Sequence, residues 1–152
     1  MAIVVHGVDG VRALPVGEPL GSSGLVEVTQ DAVNRFAEAT GDHQWIHVDV
    51  ERAKAGPFGG PIAHGYLTLS LVPRLLPEIV EFTGFGLTVN YGCEKVRFPS
   101  PVPVGSKVRA TATLEEVTEV RGGLQLAITM TIAAEDAPKP ACVATILIRQ
   151  MT

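Results

Sequence analysis

The apolar positions of this chain change period once, and the change divides it. From Thr29 to Gly41, Ala32, Val33, Phe36 and Ala37 fall on one helical face while Asn34, Arg35 and Glu38 point away. Thr29 has the chemistry of an N-cap, Asp31 favours the first turn, and Gly41 suits the left-handed residue that ends a helix. From Ile62 to Leu76 the residues Ile62, Ala63, Leu67, Leu69, Leu71, Val72, Leu75 and Leu76 cover nearly the whole circumference. That pattern predicts a helix buried on most sides, kinked or broken by Pro73, which lacks an amide and crowds the carbonyl of Leu69.

Beyond Thr83 the period becomes two. Leu87 to Phe98, Lys107 to Leu114, Leu124 to Ile132 and Cys142 to Arg149 read as strands. Arg121-Gly122-Gly123 marks a hairpin, and Asp136 to Pro140 turns the chain into the last strand. Residues 1–24 read as loop-rich, with one short strand expected at Leu25 to Val28. Helices first and an antiparallel meander second give an α+β class, with a curved sheet wrapped round the long central helix.

With 152 residues the chain fits a single domain spanning 1–152. Apolar residues make up 46% and charged residues 18%, so some of the apolar excess is expected in a subunit interface. A net charge of −4 without a basic cluster argues against nucleic acid as a partner. No apolar run approaches the roughly 20 residues of a membrane span, and the first ten residues lack the basic region of a signal peptide. A cytoplasmic protein is expected, with Cys93 and Cys142 as buried, reduced thiols.

The candidate chemistry sits between the two helical patterns. Thr40-Gly41-Asp42-His43-Gln44-Trp45-Ile46-His47 places a carboxyl and an imidazole five positions apart in a segment expected to be loop after Gly41. A neutral imidazole accepts a proton from water near neutrality, and a carboxyl enclosed by apolar groups can act as an acid. Pro61-Ile62-Ala63-His64-Gly65-Tyr66 then opens the second helix. A first-turn amide at Gly65 suits a carbonyl oxygen that becomes negative, and glycine allows close approach. Gly65 could equally serve tight packing. Ser70 either hydrogen-bonds an active-site carboxylate or bonds back into its own helix. His43 and His47 have a zinc-like spacing, but Gly41 argues against the helix that spacing requires, and no metal site is expected.

These residues resemble the MaoC-like hydratases, the R-specific enoyl-CoA hydratase (hydratase 2) family. The resemblance rests on Gly41-Asp42 with Ile46-His47, on Ala63-His64-Gly65, and on Val96-Arg97-Phe98 followed by Pro101-Val102-Pro103-Val104-Gly105. It covers about half the chain, from Phe36 to Val108. It implies a hot-dog fold, usually dimeric, and the addition of water to trans-2-enoyl thioesters to give (R)-3-hydroxyacyl thioesters, or the reverse. Carried over, Asp42 and His47 hold and activate the water, and the Gly65 amide stabilises the thioester oxygen. The resemblance implies no metal or redox cofactor, an acyl-CoA substrate and a homodimer. Gln44 and Trp45 stand where the family usually has Asn-Pro, so they are expected to shape the pocket, with Trp45 walling or narrowing the acyl tunnel. Phe58 and His64 are further candidates for substrate contact, and Arg97 for the phosphates of coenzyme A. A hot-dog acyl-CoA thioesterase and a non-catalytic acyl-thioester-binding protein are the alternatives.

Overall fold

The computed structural model describes all 152 residues. Strand β1 (Ile3–His6) leads into helix α1 (Gly7–Arg12), then β2 (Pro19–Ser22) and the two-residue β3 (Val26–Glu27). Helix α2 (Gln30–Thr40) follows, then the short turns α3 (Trp45–Val48) and α4 (Val50–Lys54). The second helical region consists of α5 (Gly65–Ser70), α6 (Val72–Leu75) and a 3-10 turn over Leu76–Glu78. Strands β4 (Val80–Thr83), β5 (Leu87–Arg97), β6 (Lys107–Val120), β7 (Gly123–Ala134) and β8 (Cys142–Met151) complete the chain.

Helix α2 forms as its sequence dictates. Thr29 accepts a hydrogen bond from the Ala32 amide at 3.1 Å, and Gly41 closes the other end at φ 81°. Val33 and Ala37 are buried on the expected face.

The second helical region differs from the single helix expected over Ile62–Leu76. Ile62 and Ala63 are extended, and Ile62 bridges to Pro103. Leu71 closes α5, and Pro73 lies in the first turn of α6, where a missing amide costs nothing. Only one stripe is buried: Thr68, Val72, Leu75, Leu76 and Ile79. Tyr66, Ser70, Pro73 and Arg74 are exposed. Apolar residues round the circumference therefore do not mean burial on all sides within this chain.

Six strands form an antiparallel sheet in the order β2-β6-β7-β8-β5, with β3 also pairing β6. The hairpin falls where expected, with Val120 paired to Gly123 and Gly122 at φ 85°. The inner positions alternate along β6 (Val108, Ala110, Ala112, Leu114), β7 (Leu126, Ile128, Met130, Ile132) and β8 (Cys142, Ala144, Ile146, Ile148). With the helical stripe they make one cluster of 29 buried apolar residues. The alanines at 110, 112 and 144 leave room for side chains from the facing helices to pack closely.

Two features were not foreseen. The N-terminal segment forms β1 and α1, and β1 runs parallel to β4, with Ile3 opposite Val80. Strand β5 is an edge strand exposed almost throughout, so Cys93 is exposed rather than buried. Cys142 is buried, and burial, with the Cys93 sulfur as a lesser contributor, pushes its thiol pKa up to about 11.

Candidate active site

Gly41 turns the chain sharply after α2, and Asp42 then makes its own local turn. The Gln44 amide donates to Asp42 Oδ1 at 3.3 Å, an arrangement natural to aspartate. Contrary to the expected loop, Trp45–Val48 then coil into α3, which carries the His47 side chain inward. His47 is 6% exposed. The Gln30 side chain of α2 donates to the His47 carbonyl at 2.9 Å and ties the two helices together. The Ile62 amide donates to the Ile46 carbonyl, and the Ala63 amide to the Val102 carbonyl, so residues 61–63 are clamped beneath α3.

This clamp fixes the proton on His47. Its Nδ1 lies 2.6 Å from the Ile62 carbonyl oxygen, which only accepts, so Nδ1 carries the hydrogen and Nε2 the lone pair. A ring nitrogen of His47, one of His64 and a carboxylate oxygen of Asp42 all lie within 4.8 Å of one another. The five-residue spacing thus does bring acid and imidazole together. Asp42 is exposed on this chain, however, and not enclosed by apolar side chains as its proposed acid role led us to expect.

His47, Phe58, Ile62, Gly65, Thr68 and Phe98 line a cavity of about 310 Å³ together with the Pro99–Val102 segment, and Asp42 lies outside that lining. Gly65 is the first residue of α5, so the helix leaves its amide unpaired. Its lack of a side chain matters here: a Cβ would come within 3.0 Å of the Phe98 ring. Phe98 and Thr68 belong to the site although sequence reasoning missed both as lining residues. The apolar ring opposite a small helix-opening residue was the available signal for Phe98.

Other candidates lie elsewhere. Ser70 is exposed and donates to the Tyr66 carbonyl at 2.6 Å, back into its own helix, and it lines a neighbouring hollow rather than the one with His47. Trp45 does not wall the cavity. The Arg52 guanidinium covers its ring at 4.3 Å and Gly56 packs against its edge, so it clasps α3 to α4. The Gln44 side chain is exposed and contributes only its backbone to the Asp42 turn. Arg97 is exposed at the end of β5 and donates to the adjacent Val96 carbonyl. His43 points away, with Nε2 3.9 Å from Glu38. His64 stacks on His47 and lies outside the cavity lining.

Asp42, His47 and His64 are the one group with enough donors in reach of a metal ion. The two imidazoles are stacked at 3.9 Å and 24°, so an ion in the plane of one ring lies well out of the plane of the other. The geometry suits a hydrogen-bonded water better than a coordinated cation.

An acid and an imidazole with a bare nitrogen meet near the opening of a helix that lies against an antiparallel sheet, a hot-dog layout carrying groups able to move a proton. The sequence model of the MaoC like domain matches residues 12–136. The chain is 54% identical over 138 residues to 3-hydroxyacyl-thioester dehydratase Z of Mycobacterium tuberculosis, covering 90% of this chain and 91% of that protein. It is 44% identical over 136 residues to Nodulation protein N of Rhizobium leguminosarum, covering 85% and 82%. The crystal structure of an (R)-hydratase from A. caviae involved in PHA biosynthesis superposes with a TM-score of 0.73 at 24% identity, covering 91% and 98%. This chain belongs to the MaoC-like dehydratase family.

Proposed function

We propose that the protein interconverts (R)-3-hydroxyacyl-CoA and trans-2-enoyl-CoA in fatty-acyl metabolism. The observation that carries this reading is the Nδ1–H of His47 held by the Ile62 carbonyl, which leaves Nε2 free to accept a proton; a His47 ring nitrogen lies within 4.8 Å of an Asp42 carboxylate oxygen, and His47 shares a cavity with Gly65. In the hydration direction, His47 Nε2 takes a proton from water as the oxygen bonds to C3. Charge moves onto the thioester oxygen, which the Gly65 amide stabilises. Asp42 delivers a proton to C2, and solvent returns it. Dehydration runs the same steps backward: the Asp42 carboxylate removes the C2 proton and the His47 imidazolium protonates the departing hydroxyl. Each direction needs one proton shared between the pair.

The acyl group is proposed to run along the second helical region. Gly65, Thr68, Leu69, Val72, Pro73 and Leu76 lie on one stripe of the second helical region, roughly 16 Å long at the rise of a helix. Hollows of about 340 and 330 Å³ lie farther along that region and share Val72, Pro73, Asn90 and Ile146 with each other, but no lining residue with the cavity at His47. Two copies of the chain are proposed to pair through β5, whose outer backbone edge is free and whose Leu87, Val89 and Tyr91 are exposed. The proposed compartment is the cytoplasm, whose reducing conditions suit two free cysteines, one of them exposed.

Crotonyl-CoA and longer enoyl-CoA esters test the reading. Enoyl absorbance is expected to fall without release of free thiol, and chiral analysis is expected to return the (R) alcohol. Thiol release ahead of hydration would identify a thioesterase instead. Binding without turnover would leave an acyl-thioester-binding protein.

A further inference from the structure

We infer that His64 is a positioning residue that aligns both members of the pair. This rests on the proposed reaction for its kinetic consequence but not for its geometry. His64 is 2% exposed and caps the start of α5. Its Nε2 lies 3.0 Å from the backbone carbonyl of Asp42, so Nε2 carries the hydrogen and donates it. Its ring stacks on His47 at 3.9 Å, while Phe36 of α2 braces it from 4.9 Å at a tilt of 52°. One side chain therefore holds the backbone of the acid and the plane of the base.

The remaining nitrogen sharpens the point. Nδ1 of His64 is buried and has no hydrogen-bond partner. Buried polar atoms are nearly always paired, and the exceptions call for a reason. A phenyl ring would fill the same space and stack the same way without an orphaned acceptor. What a phenyl ring cannot do is donate to Asp42. The N–H is therefore the feature that offsets the unpaired nitrogen. The two imidazoles carry opposite tautomers, Nδ1–H on His47 and Nε2–H on His64, each set by a backbone carbonyl. His64 thus spends its one hydrogen on the backbone of the Asp42 loop.

Nitrogen-15 NMR of the unmodified protein tests this without any variant. His64 is expected to show a protonated Nε2 and a bare Nδ1, and His47 the reverse. A protonated Nδ1 on neutral His64 overturns the proposal. Two variants then separate the contacts. His64→Phe keeps the ring and removes the donor, so kcat is expected to fall about ten- to a hundredfold with KM within about twofold. His64→Gln keeps a donor at the same reach and removes the ring; with its plane no longer held, His47 is expected to lose part of its hydrogen bond to the Ile62 carbonyl, and its nitrogen signals to shift toward a mixture of tautomers. Wild-type kcat in His64→Phe, or an unaltered His47 spectrum in folded His64→Gln, overturns the corresponding contact. If the unmodified protein fails to hydrate enoyl-CoA, the proposed function falls and the NMR experiments alone decide the role of His64.

Discussion

The local surroundings of single side chains decide which candidate residues meet and which only sit nearby. The approach of Asp42 to His47 was legible because Gly41 ends the helix before them and lets the chain fold back. The direction of a side chain was not legible in the same way. Trp45 adjoins the motif, yet Arg52 and Gly56 hold it against α4. Ser70 faces away because its hydroxyl finds the Tyr66 carbonyl one turn back. Replacing Asp42 by Asn or His47 by Gln is expected to lower turnover by about 10²- to 10⁴-fold while the melting curve stays sigmoidal, as steady-state kinetics and circular dichroism will show. The cysteines offer a second check. At pH 7 an alkylating reagent is expected to label Cys93 and spare Cys142, read by mass spectrometry of the folded protein. The raised thiol of Cys142 also has a stability consequence. The unfolded thiol ionises from about 9.0 while the folded one holds its proton to about 11, so stability intact below pH 9.0 declines as pH rises toward 11. Cys142→Ala is expected to flatten that alkaline slope in denaturant titrations.

Elements whose stabilising contacts are local could be read from sequence, and those made by distant partners could not. Helix α2 has its caps and its buried face within thirteen residues, and it appears with the expected ends. The alternation in β6, β7 and β8 marks their inner faces, because each pairs with its neighbour in sequence. Strand β1 pairs with β4 more than seventy residues away, and its four residues carry no periodicity to announce it. Pro73 broke the second helical region where its chemistry required, yet the depth of burial round that region depended on what faced it. Thr29→Ala removes one cap hydrogen bond and is expected to cost about 1 kcal/mol in unfolding free energy, measured by urea titration. A change well below half of that would mean water replaces the hydroxyl without loss.

At the scale of the whole molecule, the sequence carries more apolar surface than one chain buries. Leu87, Val89, Tyr91, Phe98 and Tyr66 are all exposed, on β5 or beside it. The composition hinted at this excess, but only the sheet order shows where it lies. No helix is long and apolar enough to cross a membrane, so that surface is not a helical span. Val89→Lys places a charge on the free edge of β5. It is expected to convert a dimer of the unmodified protein to a monomer, read by light scattering, and to reduce hydration with it. A monomeric unmodified protein at micromolar concentration would remove the β5 pairing.

The far side of the same sheet gives that pairing a limit. Strand β2 is four residues long, begins at Pro19 and slips register between Pro19 and Gly21. A short, irregular border that starts with proline offers no template for another strand. Within the six-stranded sheet, association through β5 would therefore be self-terminating: two chains would consume each other's adhesive margin, and that sheet would leave no end from which a filament could grow.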